Sequence, residues 1–346
     1  MGLIIKLLLL LIIVLVFILI FFTCYLIFER TREVSGVRKK EVYIREKQML
    51  WYRYFRDAEK FHASLIPTNK FEIQAVEELF LSYLNNLFTP AILKKIELFS
   101  NQYLKQHFSG LLRSRKWSER INAMERIIDF RMDSLLEVCE KMDEKKLSHE
   151  EYFQLLKIYA VFKEEQFVNK LLNLPVLFSE YEYKKLLISV DEDILNDLMN
   201  RMEELSDTCQ YVIIDILGIK RNMDNLSFLE SRLGHSNDEI RIRSLKAIYE
   251  LGVIIEPEKY VHFNVSPIWE ERLMHARLLG NLPISYSLPY LEALLKDDSW
   301  WVRSQAAKTI GKDKQGAEIL QSFIETASDQ FAIDMANEVL WEGGSK

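Results

Sequence analysis

Glycine and proline are scarce in this chain, with 11 and 7 copies among 346 residues. Apart from Gly343 and Gly344 the glycines stand alone. The sequence therefore has no P-loop, no dinucleotide fingerprint and no nucleophile elbow, all of which need glycines at fixed spacings. Alternating apolar segments typical of strands are missing as well, and so is any low-complexity linker. These absences predict an all-helical body without a flexible break.

Cysteine and histidine are few and scattered. Cys24, Cys139 and Cys209 form neither a disulfide framework nor a metal spacing, as is typical of a reducing compartment. The histidines fall one per region, and we interpret them as surface or capping residues: His62, His107, His149, His235, His262 and His275. A metal site assembled from distant parts of the chain is the alternative. The prediction is no metal ligand and no cofactor.

Charged clusters give no catalytic constellation either. Acidic residues at 150–151, 191–193 and 203–204 fall in predicted first turns or at helix ends, where carboxylates interact favourably with the helix dipole. The basic and aromatic stretch at 113–117 is interpreted as a solvated turn, with binding of a phosphate or an acidic partner as the alternative. We therefore predict no catalytic residue and a protein that is not an enzyme.

An apolar ladder with a period of 31 residues is the strongest positive signal. Its first positions are Leu136, Phe167, Leu198, Leu229, Tyr260 and Leu291, and the positions four residues later are Glu140, Leu171, Met202, Leu233, Asn264 and Leu295. Apolar residues at i and i+4 share one face of a helix, so the period predicts an array of helical repeats. The last copy, residues 329–341, has no second helix after it and is expected to cap the array.

The other helix of each repeat shows the same offset. Trp269, Arg272, Ala276 and Gly280 align with Trp300, Arg303, Ala307 and Gly311, while Ile240, Arg243, Ala247 and Leu251 fit the same template, and Trp117 and Arg120 fit it loosely. Earlier repeats are marked by capping boxes. Ser148 with Glu151 and Ser179 with Glu182 have the required spacing and lie 31 residues apart.

These residues resemble the HEAT repeat superfamily, and most closely its short-repeat branch called phycobilisome-lyase HEAT-like. The resemblance is carried by Asp298, Val302, Arg303, Ala306, Ala307, Ile310 and Gly311, and by Asp238, Ile242, Arg243, Ala247, Leu251 and Gly252. It implies a right-handed alpha-alpha superhelix, a HEAT-like solenoid of helix pairs of about 31 residues. It also implies a hydrogen-bond ladder between neighbouring repeats through Asp238, Arg243, Arg272, Asp298 and Arg303. Pro267 takes the Asp position in the repeat of Arg272.

Two enzyme classes share this resemblance. Some HEAT-like proteins are phycobilin lyases, and that alternative rests on the fold alone. Others are alkylpurine DNA glycosylases, which need a basic face for phosphates. Residues 1–47 carry 8 Lys+Arg and 4 Asp+Glu, so the remaining body is net −10, and we predict no nucleic-acid partner.

The amino terminus predicts a membrane anchor. No charge occurs from Leu7 to Phe28, and a helix of this length spans about 33 Å against a hydrocarbon core of about 30 Å. A cleavable signal peptide would have a shorter apolar region ending in small residues. Only Lys6 precedes the segment, whereas seven Lys and Arg residues follow within twenty positions. Because positive flanks stay in the cytosol, we expect a single-pass protein of the cell membrane with a cytosolic body.

The predicted organisation has four parts: an anchor at 1–28, a basic neck and aromatic helix at 29–66, a non-repeat helical pair at 67–115 and the repeat array at 116–342. The aromatic stretch is expected to pack on the first globular helices, with the membrane interface as the alternative. In the helical pair, Asn69 caps a helix to about Phe88, and Thr89 caps one that Gly110 ends.

The sequence favours a membrane-anchored scaffold that binds a protein partner, itself expected to be membrane-associated, through the repeat surface. A non-catalytic regulatory subunit of a membrane enzyme complex, for polysaccharide synthesis or transport, is the alternative. One repeat departs from the pattern at Pro257, Asn264 and Pro267. These residues mark either a short helix that Pro257 starts or a hinge where the array bends or admits a partner.

Overall fold

The structure, a computed structural model, describes residues 2–56 and 61–344. It is all-α, with 81% of the chain helical and no strand in the described residues, which confirms the predicted fold class at this level. The chain forms two compact units, residues 1–163 and 164–346, so the division falls inside the predicted 116–342 array. Met1, residues 57–60 of the predicted aromatic stretch, and residues 345–346 lie outside the described residues.

Unit 1, residues 1–163, contains seven α-helices in its described part. They are α1 (Gly2–Arg56), α2 (Lys70–Asn86), α3 (Pro90–Phe99), α4 (Lys105–Leu112), α5 (Trp117–Asp129), α6 (Leu136–Glu140) and α7 (His149–Phe162). Asn69 caps α2 through the N–H groups of Phe71 and Glu72, and Thr89 caps α3, as predicted. A π-helical turn, Ser100–Leu104, joins α3 to α4, which runs two residues past Gly110.

Helix α1 is a single element of 55 residues, whereas the sequence suggested an anchor, a neck and a separate aromatic helix. No proline occurs in it, so nothing interrupts its hydrogen-bond ladder. Its large apolar side chains between Leu10 and Phe28 are exposed wherever they are described. No helix in the described part of the chain combines the length and the apolar character required of a membrane span. The predicted anchor is therefore not confirmed and stays a prediction.

The carboxyl-terminal part of α1 packs on the first globular helices. Trp51 is fully buried, and its ring meets those of Phe80 on α2 and Phe99 on α3 edge-on at centroid distances of 5.0 Å. Phe55, one turn later, is buried in the same cluster. Because these aromatic rings fill the space between the three helices, the predicted packing of the aromatic stretch is confirmed.

Unit 2, residues 164–346, contains eleven α-helices in its described part. They are α8 (Glu164–Leu172), α9 (Glu180–Leu187), α10 (Glu192–Asn200), α11 (Asp207–Lys220), α12 (Leu226–Ser231), α13 (Asp238–Leu251), α14 (Trp269–Leu278), α15 (Ile284–Leu294), α16 (Trp300–Gly311), α17 (Gly316–Thr326) and α18 (Gln330–Gly344). Helices α9, α11, α13, α14, α16 and α18 pack on one another in that order. We call these six the first helices.

The predicted apolar ladder lies in the core. Phe167, Leu198, Leu229 and Leu291 are fully buried, and Tyr260 nearly so, while Leu136 in unit 1 is half-buried. Of the positions four residues later, the apolar ones are buried: Leu171, Met202, Leu233 and Leu295. Glu140 is exposed, and Asn264 is half-buried. The apolar residues that recur every 31 positions are therefore side chains that the repeats bury.

This burial gives a stability prediction. Replacing Leu229 or Leu291 with Ala leaves a cavity in a fully buried site and should lower the free energy of unfolding by about 2 to 5 kcal/mol. Glu292→Ala, next to Leu291 but exposed, should change it by less than about 0.5 kcal/mol. Denaturant unfolding of the full chain measures the three variants. Equal effects at positions 291 and 292 would show that the register is wrong.

Candidate interaction surface

The first helices of unit 2 run parallel. Near their starts, Arg272 on α14 donates hydrogen bonds to Asp297, in the turn before α16. Near their ends, the Thr309 hydroxyl on α16 donates to the carbonyl of Ala276 on α14 at 2.9 Å. Because the starts of neighbouring first helices contact each other, and their ends do too, the amino-terminal turns share one edge of unit 2.

Close approach at the helix ends depends on glycine. A Cβ added to Gly218 on α11 would lie 2.9 Å from the Cα of Ala247 on α13. A Cβ added to Gly311 on α16 would lie 2.4 Å from the Cγ1 of Val339 on α18. These two glycines stand three 31-residue periods apart. A side chain at position 218 would meet the backbone of α13 and push the two helices apart, whereas one at position 311 would first displace the Val339 side chain.

Arginines near the helix starts connect neighbouring repeats, and we call each arginine with the groups it contacts a rung. The Arg241 Nε donates to the Glu271 Oε1 at 2.6 Å, and its guanidinium also donates to the His235 carbonyl at 2.6 Å and to Asp238 at 2.7 Å. Glu271 is 3% exposed and accepts a hydrogen bond from the Ser266 hydroxyl as well. A buried carboxylate needs such partners, so this rung fixes α13 against α14.

The next two rungs use the same arginine position. Arg272 donates to both oxygens of Asp297, at 2.5 and 2.9 Å, and this hydrogen bonding raises the pKa of Arg272. Its third contact is the Ser266 carbonyl at 2.6 Å. Arg303 donates to the carbonyls of Asp297 and Asp298, and its guanidinium stacks 5.3 Å from the ring centre of Phe331 on α18.

The structure places the five predicted ladder residues differently from the sequence alignment. Arg241, 31 residues before Arg272, occupies the ladder position that the alignment gave to Arg243, because α13 starts at Asp238. Arg243 instead bonds to Glu239 on its own helix, Asp215 on α11 and Glu180 on α9. The carboxylate in the turn that receives the bond from Arg272 belongs to Asp297, and Asp298 contributes its carbonyl. Asp238 pairs with Arg241.

Unit 1 repeats the rung between α5 and α7. Arg120 donates to Glu151 at 2.5 Å and to the Ser114 carbonyl at 2.8 Å. Glu151 also completes the capping box with Ser148, which confirms that prediction, as Ser179 with Glu182 does in unit 2. The Glu151 carboxylate therefore caps α7 and also holds Arg120 of α5.

The irregular repeat has a 3₁₀ helix, Pro257–Val265, where other repeats of unit 2 have an α-helix. Pro257 stands at its start, where the missing N–H leaves no hydrogen bond unmade. Asn264 is half-buried with an unpaired side-chain oxygen, and Pro267 is exposed in the turn before α14. Whether this repeat is a hinge stays a prediction.

His275 on α14 is 1% exposed, unlike the surface or capping histidines that the sequence suggested. Neither ring nitrogen has a hydrogen-bond partner in the described part of the chain. Burial, with a smaller contribution from the neighbouring His262, lowers the pKa of His275 to about 4. His62, by contrast, does cap a helical turn, through the N–H of Ser64.

Exposed aromatic rings collect at the shared edge of the first helices. Trp269 starts α14, Trp300 and Trp301 start α16, and Phe331 lies in the first turn of α18. Their exposed fractions are 37%, 42%, 59% and 67%. Since α14 packs on α16 and α16 on α18, the four rings lie on consecutive helices. We call this group the aromatic edge.

Metal ligands and thiols are two further kinds of side chain to place in the described residues. They contain no group of three or more His, Cys, Asp or Glu side chains placed to hold a metal ion. Burial raises the pKa of both Cys139 and Cys209 to about 12, so neither thiol supplies a thiolate nucleophile near neutral pH. Neither lies on the aromatic edge.

Comparison with known proteins identifies one repeat. A HEAT repeat family model matches residues 288–312, from the second half of α15 through α16. No curated protein matches the chain. Among solved structures, an engineered protein is 16% identical, with 69% of this chain and 96% of that chain covered and a TM-score of 0.29. Human deoxyhypusine hydroxylase, solved with glycerol, is 12% identical, covers 88% of this chain and 98% of its own, and has a TM-score of 0.30.

Burial of His275 predicts a pH dependence of stability. The unfolded imidazole binds a proton below about pH 6.5, whereas the folded one does so only below about pH 4. The free energy of unfolding should therefore fall by about 3 kcal/mol as pH falls through this window, over and above the carboxylate contribution. His275→Phe should flatten this part of the curve, and His262→Phe, at an exposed neighbour that contributes less to the shift, should flatten it much less. Unchanged slopes in both variants would contradict the burial.

Proposed function

We propose that this chain is a membrane-anchored, non-catalytic scaffold that binds a protein partner at the aromatic edge of unit 2. The observation that supports it is the exposure of four large aromatic side chains on three consecutive first helices. Tryptophan and phenylalanine side chains are usually covered, and such rings are enriched at protein interfaces. HEAT repeats commonly mediate protein interactions, and the matched repeat includes Trp300 and Trp301.

Charge defines the chemistry of the partner. Residues 164–346 carry 19 Lys+Arg and 31 Asp+Glu, a net charge of −12, whereas residues 1–163 are net +6. Glu270 follows Trp269 directly, and Asp298 precedes Trp300 by two residues. A partner that presents apolar pockets beside Lys and Arg side chains fits this edge. Cytosolic flanks of membrane proteins are rich in Lys and Arg, so the proposed partner is itself a membrane protein.

The anchor in this proposal is the apolar part of α1. Its support comes from the 22 uncharged residues from Leu7 to Phe28 and from the basic residues that follow them. With this orientation the body is cytosolic and the protein spans the cell membrane once. Tethering raises the effective concentration of the aromatic edge beside a membrane partner, so modest affinity is enough. Digestion of the body by protease added to intact cells would contradict this placement.

A regulatory subunit of a membrane enzyme complex, for polysaccharide synthesis or transport, is the narrower form of the same proposal. It shares the anchor, the acidic unit 2 and the aromatic edge, and differs in what the partner does. Identifying the partner separates the two forms. A small-molecule product formed by the purified chain alone would instead support an enzyme.

Two single tryptophan substitutions test the interface. A photo-crosslinking side chain is placed in the turn before α16 of the full chain, in native membranes, and the cross-linked proteins are identified. Trp301→Ala should reduce the cross-linked yield at least tenfold, because buried interface tryptophans dominate binding energy. Trp341→Ala removes an 81% exposed tryptophan near the carboxyl terminus of α18 and should leave the yield unchanged.

An unchanged yield from the Trp301 variant would contradict the proposed interface. Equal losses from the Trp301 and Trp341 variants would contradict it too, because they would show a general effect of removing a tryptophan. Circular dichroism of both variants checks that the helices remain intact. Since both side chains are largely solvent-exposed in the structure, neither substitution should unfold the chain.

A further inference from the structure

A cleft of about 690 Å³ lies in unit 1 between α1 and the segment that leads into α2. One wall is a single face of α1, since Arg38, Lys39 and Lys47 recur with Val42 and Glu46 at helical spacing. The opposite wall runs from residue 63 to residue 72. Its volume is that of a small-molecule site, far larger than a single ion needs.

Specific contacts hold the two walls together. The Tyr43 hydroxyl, at the buried base of the cleft, donates to the Leu65 carbonyl at 2.9 Å, and burial raises the pKa of Tyr43 to about 12. Nearer the start of α2, the Lys39 ammonium lies 5.3 Å from the ring centre of Phe71. The cleft is therefore part of the folded unit.

The cleft has a net positive charge of one, because three cations and two carboxylates line it: Arg38, Lys39 and Lys47, with Glu46 and Glu72. Lys40, which points elsewhere on α1, pairs with Glu78 at 2.5 Å. Arg38 and Lys47 form no ion pair with an acidic side chain in the described residues. The Glu72 Oε2 accepts hydrogen bonds from the Thr68 N–H at 2.6 Å and the Thr68 hydroxyl at 2.9 Å, which hold this carboxylate on the wall opposite α1.

We propose that this cleft binds a phosphate-bearing anion through Arg38, Lys39 and Lys47. Arginine and lysine are the side chains that bind phosphate oxygens, the first as a fork and the second as a point charge. The site goes beyond the proposed scaffold function and does not depend on the aromatic edge.

Two sources of phosphate are compatible with the position of the cleft. Arg38 lies ten residues after Phe28, which is about 15 Å along the helix. The headgroup layer beyond the hydrocarbon core is about 5 to 7 Å deep. An upright α1 therefore places the cleft beyond this layer, so a lipid reaches it only with a projecting headgroup, whereas a soluble phosphate compound reaches it directly. The lipid source rests on the proposed anchor, and the soluble source does not.

The test uses the full chain in phosphatidylcholine nanodiscs. Pyrophosphate binding by calorimetry probes the soluble source. Nanodiscs with added phosphatidic acid, followed by native mass spectrometry of the retained lipid, probe the membrane source. Phosphatidylglycerol at equal content controls for surface charge, because it lacks a terminal phosphate monoester. Saturable binding in at least one arm is expected.

Two double variants of equal charge distinguish the site from general attraction. R38Q/K47Q removes both unpartnered cations of the cleft and should weaken binding at least tenfold. R45Q/R53Q removes two exposed arginines of the same helix that do not line the cleft, and should weaken binding less than threefold at physiological salt. Both variants alter exposed or half-buried side chains, and circular dichroism checks that each folds.

An equal loss of binding in the two variants would overturn the proposal, because it would show that the net charge of α1 alone attracts the anion. Absence of binding of both pyrophosphate and phosphatidic acid to the unaltered chain would overturn it as well. Neither result bears on the cross-linking test of Trp301→Ala, so failure of this site and failure of the scaffold function are distinguishable.

Discussion

The helix pairs of unit 2 bury their apolar faces against neighbouring pairs. Two of the helices that lie between the first helices are especially small: α12, Leu226–Ser231, has six residues, and the irregular repeat has only a 3₁₀ helix in this place. Leu229 and Leu291 are nevertheless fully buried. Each repeat completes its core only against its neighbours, so within unit 2 stability is a sum over the interfaces between consecutive repeats.

Because each repeat depends on its neighbours, the spacing between the first helices is critical. Polar residues set this spacing at the helix starts, and small residues set it at the helix ends. At the starts, Arg241 and Arg272 bond across the interface to buried carboxylates, and loss of either arginine would leave its carboxylate without that charged partner. At the ends, Gly218 and Gly311 let the backbones approach. The arrangement fixes all starts on one edge, and that edge is where Trp269, Trp300, Trp301 and Phe331 are exposed.

Much of the fold is predictable because burial recurs at a fixed spacing, as at Phe167, Leu198 and Leu229. The rungs are less predictable: Arg241 and Arg243 both lie in the first turns of α13, and only the helix start at Asp238 decides which one crosses to Glu271. Burial of His275 leaves no sequence signal, since it depends on packing in the irregular repeat. The aromatic edge does have a signal, because Trp269 and Trp300 repeat at 31 residues just after a turn, but their exposure follows only from the structure.

The central claim is that the first helices stack in parallel and in a single register. Cysteines introduced at Gly280 and Thr309 test it directly, because a Cβ at position 280 lies 3.2 Å from the Cγ2 of Thr309. Mild oxidation followed by mass spectrometry of the peptides should show a disulfide between positions 280 and 309. A control pair at positions 280 and 305, one turn earlier on α16, should remain reduced. A disulfide in the control pair, or in neither pair, would contradict the register on which this account depends.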